Sequence, residues 1–174
     1  QDDGTWAMDT TTDIGRIARQ QYFLKQAAKK AIARGARNPV ELANLVVATR
    51  NQDALQKSRD LLRKLVNDGR SEPDLLTSIA RIESALGNVD DAAQLSARAA
   101  AAPDAGGAAL RARAEAVLRQ PGRTEEGREP YFAGIAKAEG DALEQYFTDV
   151  QVIATERELE SWKQGDTAAK RAWL

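Results

Sequence analysis

The sequence predicts an all-α protein built from antiparallel helical hairpins that stack as a short solenoid. Apolar residues recur at spacings of three and four along most of the 174 residues, and alternating patterns typical of strands are nearly absent. The periodic runs end at Gly, Pro or Asn, which are typical of turns. Apolar residues make up 43% of the chain but aromatic residues only 5%, so the helices must pack closely to bury a core.

Residues 1–37 comprise a segment without periodicity followed by a basic segment with helical periodicity. Residues 1–11 have no period and are predicted to be an extended arm, with Trp6 as its large apolar anchor. A helix is predicted from Thr12 to Gly35, and the stretch from Arg16 to Arg37 carries seven basic residues and no acid. We expect Trp6, Arg16 and Arg19 to contact a partner. The basic residues fit either a solvated helix face or a patch for an acidic partner or lipid headgroups.

Each following helix has a recognisable start. Asn38-Pro39-Val40-Glu41 combines a capping residue, a first-turn Pro and a Glu that completes a capping box. Gly87 is predicted to end a helix in a left-handed conformation. Residues 12–119 therefore form one predicted helical domain. Its helices after the first are expected to start near Pro39, Asn51, Pro73, Val89 and Gly107.

The last third of the chain begins with an interruption. Residues 120–130 are rich in charge, Gly and Pro, and we predict a charged loop there. A C-terminal helical segment over residues 131–174 follows. Its predicted helices span about 131–139 and 141–148, with later starts at a capping box, Thr155 to Glu158, and at Asp166.

The stretch from Leu75 to Asp104 resembles a tetratricopeptide repeat (TPR), a pair of antiparallel helices that meet at a Gly-centred turn. Glu83 stands where the family usually has an aromatic residue, and we expect this to thin the core. Residues 40–66 resemble a degenerate earlier unit. The resemblance implies a TPR-like solenoid with a concave surface that holds protein segments. The matching positions are Leu76, Ile79, Ala80, Gly87, Ala92, Ala99 and Pro103.

A second resemblance covers parts of the C-terminal segment. Residues 146–149, 153–162 and 168–174 are similar to exported bacterial proteins in which helical repeats precede a GWxTD domain. The resemblance implies no chemistry for particular residues. It implies an exported protein, for which one role is an accessory subunit of a membrane complex such as a photosynthetic reaction centre. Trp162 and Trp173 fit either core aromatics or a face that docks on a partner.

Composition narrows the chemistry that the chain can perform. It has no Cys and no His, so thiol nucleophiles, imidazole bases, disulfides and Cys/His zinc sites are excluded. The net charge of −1 and pI of about 5.7 disfavour general nucleic-acid binding. No apolar run is long enough to span a membrane. Asp90 and Asp91 are interpreted as first-turn helix acids. We expect neither a cofactor nor a metal.

The leading hypothesis is a non-catalytic interaction or scaffold subunit that binds protein partners, including subunits of a membrane-embedded complex. The chain starts at Gln1 followed by two acids, which is typical of a mature exported protein and predicts a periplasmic location. Two alternatives remain open. One is a carboxylate-dependent hydrolase of cell-wall glycans, and the other is the sensor domain of a regulator.

Overall fold

The computed structural model describes residues 39–174. The predicted arm, the first helix and the candidate contact residues Trp6, Arg16 and Arg19 lie outside the described residues. Residues 39–174 contain nine α-helices and one 3-10 turn, and no strand occurs among them. The predicted all-α fold of packed helical hairpins is confirmed.

We number the helices from the first described residue. The element bounds are α1 Pro39–Thr49, α2 Gln52–Asn67, α3 Pro73–Leu86, α4 Val89–Ala100, α5 Gly107–Leu118, α6 Thr124–Lys137, α7 Gly140–Val150, the 3-10 turn Gln151–Ile153, α8 Glu156–Gln164 and α9 Thr167–Trp173. Short connections force neighbouring helices to double back on each other.

Three predicted helix starts are confirmed by side-chain capping contacts, at Asn51, Thr155 and Asp166. The side chain of Asn51 accepts a hydrogen bond from the backbone amide of Ala54 at 3.0 Å. Thr155 and Glu158 form the predicted capping box at the start of α8. Asn88 behaves differently, because its side chain does not cap α4 and instead donates to the Glu83 carboxylate. Local sequence therefore determines where these helices begin, even where the capping group serves another contact.

The predicted loop at residues 120–130 is wrong over most of its length. A short turn at residues 120–123 joins α5 to α6, and α6 then runs through Pro130 without a break. Pro130 removes one helical hydrogen bond. Gly127 lets α6 approach α5 closely, since a Cβ there would lie 2.9 Å from Leu118 Cγ. The Gly in this segment thus serves close packing and not a mobile loop.

The helices pack in a regular way. Each of α1 to α5 packs against the next helix in the chain, and α1 also packs on α3, α3 on α5, and α5 on α7. The odd-numbered helices α1, α3, α5 and α7 therefore lie side by side along one side of the stack. Almost half of the buried apolar residues in the described chain are Ala, which allows these short interhelical distances.

The contact between α5 and α6 depends on glycine. A Cβ on Gly107 would lie 2.6 Å from the Ala138 Cα, and a Cβ on Gly134 would overlap the Tyr146 hydroxyl. Tyr146 is fully buried on α7, and its hydroxyl donates to the Gly107 carbonyl at 3.2 Å. Gly107 thus lets the end of α6 approach α5, and Gly134 makes room for the tyrosine that ties α7 to the start of α5.

We predict that Gly134→Ala lowers the free energy of unfolding by about 1 to 3 kcal/mol, because the added methyl group displaces the Tyr146 ring. Gly106→Ala is the matched control, since a Cβ at Gly106 meets no atom within 4 Å. Urea denaturation followed by circular dichroism measures both. A Gly134→Ala midpoint equal to or above that of the parent would contradict this packing.

The turn after α3 gives a second prediction. Gly87 has a φ of +86°, as the sequence predicted, so a β-branched side chain there is strained. Gly87→Val should lower stability by more than about 1 kcal/mol. Gly87→Asn should lower it less, because Asn tolerates left-handed backbone. Equal thermal midpoints for the two variants would show that backbone strain is not the cause.

Candidate functional site

The predicted contact residues Trp162 and Trp173 belong to an aromatic cluster in the C-terminal part. Phe147 stacks on Trp162 with ring centroids 4.3 Å apart, and Trp173 lies 5.4 Å from Trp162. Trp162 is only 3% exposed, whereas Trp173 is partly buried. The cluster joins α7, α8 and α9, and in this arrangement Trp162 has no open face for a partner.

Glu83 forms a buried polar centre instead of thinning the core as the sequence predicted. Its side chain is fully buried, and Arg63 Nη2 lies 2.6 Å from one carboxylate oxygen. Asn88 donates to the other oxygen at 2.6 Å. Arg63 also pairs with Asp91 in the first turn of α4, where the sequence placed that acid. Both Glu83 oxygens are therefore engaged in joining α2, α3 and α4.

The Arg63 guanidinium is held by these two carboxylates. Burial alone would lower the pKa of Arg63, but its hydrogen bonds to Glu83 and Asp91 outweigh that effect and raise the pKa. A groove of about 280 Å³ opens beside this ion pair, between α2, α3 and α4. Its most buried charges are already matched, so we regard the Glu83 centre as structural.

A different groove lies across the odd-numbered helices, and we call it the arginine groove. Its volume is about 320 Å³, and side chains from α1, α3, α5 and α7 all contribute to it. These helices are far apart in sequence, so only the stacking brings their side chains together. The lining residues are Val47, Arg81, Ser84, Ala85, Arg111, Glu115, Arg119, Gln145 and Thr148.

Arg81 on α3 is a partly buried cation of this groove that has no carboxylate partner within residues 39–174. It donates a hydrogen bond to the Asn44 side chain on α1, and no Asp or Glu oxygen of residues 39–174 lies within 4 Å of its guanidinium. Burial lowers the pKa of Arg81, and the like charge of Arg111 adds to this while Glu115 opposes it. A partly desolvated cation of this kind is stabilised by an incoming anion.

Arg111 on α5 is, by contrast, fully paired. Its guanidinium donates to both oxygens of Asp149 at 2.9 and 2.7 Å and lies 2.8 Å from Glu115. Burial would lower the pKa of Arg111, but these carboxylates outweigh it and raise the pKa. The Tyr131 hydroxyl also donates to Asp149, and burial together with that carboxylate raises the pKa of Tyr131 to about 12. This cluster fixes α5 against α7.

Arg119 lies two helical turns beyond Arg111 on the same face of α5. Its guanidinium donates to the Ser84 carbonyl at 3.2 Å, the side chain is exposed, and it forms no ion pair within the described chain. The groove therefore presents three arginines against Glu115 in its wall and Asp149 at its edge. The spacing of Arg111, Glu115 and Arg119 by four was visible in the sequence, whereas their proximity to Arg81 was not.

Between residues 39 and 174, no group of Asp or Glu side chains is arranged to hold a metal ion. No helix in this range is long and apolar enough to cross a membrane. Comparison of the chain with protein-family models, curated proteins and solved structures finds no match.

We predict that replacing Arg63 in the Glu83 centre lowers the stability of the protein more than replacing Glu83 does. Arg63→Met leaves a fully buried carboxylate without its cation and should lower stability by about 3 kcal/mol or more. Glu83→Met should lower it less, because Arg63 is 44% exposed and keeps Asp91. Arg70→Met breaks an exposed pair with Glu72 and should lower it by less than about 1 kcal/mol. Chemical denaturation ranks the three variants, and a larger loss for Glu83→Met than for Arg63→Met would contradict this assignment.

Proposed function

We propose that this chain is a non-catalytic interaction or scaffold subunit with a TPR-like build, and that it holds a segment of a partner protein in the arginine groove. The observation that carries the proposal is the convergence of four non-consecutive helices on one groove that contains an unmatched cation. Stacked helical hairpins use such extended surfaces to bind protein segments.

The chemistry of the lining residues supports binding. Glu115 is the carboxylate of the groove wall, and it already pairs with Arg111 at 2.8 Å. Ser84, Gln145 and Thr148 add hydroxyl and amide groups that can hydrogen-bond a peptide backbone. Val47 and Ala85 supply small apolar contacts beside them. This mixture of polar groups around a few charges is typical of protein-binding surfaces.

The resemblance of the C-terminal segment to exported bacterial proteins extends this proposal. We propose that the subunit is periplasmic and docks on a membrane-embedded complex, of which a photosynthetic reaction centre is one example. The partner segment in the arginine groove would then belong to another subunit of that complex.

Site-specific photocrosslinking in the native host tests the proposal. A benzophenone amino acid at Ser84 or Gln145 places the reactive group in the arginine groove, whereas Gln56 on α2 is exposed but does not line it. We expect the same polypeptide to be captured from Ser84 and Gln145 and not from Gln56.

Two results would count against the proposal. One is capture of the same polypeptides with equal yield from all three positions, which indicates contact without a defined surface. The other is capture from Gln56 alone, which places the binding face on the side of α2. Circular dichroism of each variant confirms beforehand that the substituted chains fold.

A further inference from the structure

We infer that the arginine groove selects an extended, carboxylate-rich segment of its partner, with Arg81 and Arg119 as the groups that contact the carboxylates. This inference rests on the proposed function and names the chemistry of the ligand. It follows from the two arginines that have no carboxylate partner in the described part of the chain, from the contacts that hold their side chains, and from the acid Glu115 in the groove wall.

Only one of the three arginines in the groove is paired with carboxylates of the described chain. The Arg111 guanidinium donates to Asp149 and lies beside Glu115. Its charge is therefore already neutralised and is not available to an incoming ligand. Arg81 and Arg119 have only neutral partners within residues 39–174, namely the Asn44 side chain and the Ser84 carbonyl. Both keep guanidinium donors for an anion, and a carboxylate can accept two of them at once.

Arg81 and Arg119 are held by different parts of the groove. Arg119 attaches to Ser84, which lies three residues after Arg81 on α3. The Arg81 guanidinium instead extends toward Asn44 on α1, so the two cations lie at separate points of the groove. Successive residues of an extended chain rise by about 3.3 Å, and alternate side chains lie on the same face. Acidic residues at alternate positions therefore place two carboxylates about 6.6 Å apart on one face of an extended segment, where each can approach one of the two guanidinium groups.

The charges around the groove favour isolated carboxylates over a chain of phosphates. Nucleic-acid binding requires a row of cations that neutralises many phosphates, and the chain has a net charge of −1. Glu115 lines the groove, and the two carboxylates that pair with Arg111 leave a net charge of −1 on that cluster, which opposes the approach of a continuous phosphate backbone. Isolated carboxylates separated by neutral residues avoid these two acids. The space between them can be filled by a peptide backbone that bonds Gln145 and Thr148.

Fluorescence anisotropy with the full chain tests the inference. The probes are a fluorescein-labelled peptide of alternating Glu and Ser and its counterpart of alternating Gln and Ser. We expect the Glu–Ser peptide to bind at least about tenfold more tightly, and added salt to weaken it. Arg81→Gln should weaken it about tenfold and Arg119→Gln by a few-fold, since Arg119 is exposed.

Arg128→Gln is the matched control. It removes the same charge from α6, where Arg128 is exposed and pairs with Glu125 outside the arginine groove. Its affinity for the Glu–Ser peptide should equal that of the parent. Because Arg119 is exposed, Arg119→Gln should fold normally and keeps the test valid if Arg81→Gln is unstable.

Three outcomes would overturn the inference. The first is equal affinity for the two peptides, and the second is an equal loss of affinity in Arg128→Gln and Arg81→Gln. The third is tighter, Arg81-dependent binding to phosphatidylglycerol vesicles than to the peptide, which would assign the groove to a membrane surface. If peptide selectivity fails while the Ser84 and Gln145 crosslinks persist, the proposed function stands and only the ligand chemistry is wrong. Loss of those crosslinks removes the proposed function itself.

Discussion

The structure depends on the close approach of helices whose facing residues are Gly and Ala. Gly107 and Gly134 let α5 and α6 meet, and the Tyr146 hydroxyl then reaches the Gly107 carbonyl. Tyr146 and Asp149 lie one turn apart on α7, and Gly107 and Arg111 lie one turn apart on α5. The same alignment that seats Tyr146 therefore brings Asp149 onto Arg111. The position of α7 beside α5 in the arginine groove therefore follows from the contact between Tyr146 and Gly107.

The helix α3 separates two electrostatic environments. Glu83 and Arg81 are two residues apart, so their side chains project about 200° apart around the helix axis. Glu83 faces Arg63 and Asn88, where its charge is matched, and Arg81 faces Asn44 in the arginine groove. These two neighbouring, opposite charges do not neutralise each other directly. The helix carries a structural ion pair on one side and an unmatched cation on the other.

The local features of the fold could be predicted from sequence, because capping and left-handed turns depend on few neighbouring residues. Asn51, Gly87 and Thr155 are examples. The start of α6 could not be predicted. Its Gly and Pro residues suggest a loop when the segment is considered alone, and the helix is explained only by the surface of α5 that it faces. Glu83 was misjudged for the same reason, because Arg63 lies twenty residues earlier. The arginine groove needs four helices in register, and no single segment contains that information.

The hydrogen bond between Arg81 and Asn44 has a consequence for binding rates and entropy. A free arginine side chain loses up to about 2 kcal/mol of rotamer entropy when it is immobilised. Arg81 has already lost part of this freedom on folding, so a ligand meets a preorganised donor. Among related ligands, differences in affinity then arise mainly in the rate of dissociation. For the proposed ligand, the Asn44 amide on α1 would therefore slow dissociation without contacting the ligand itself.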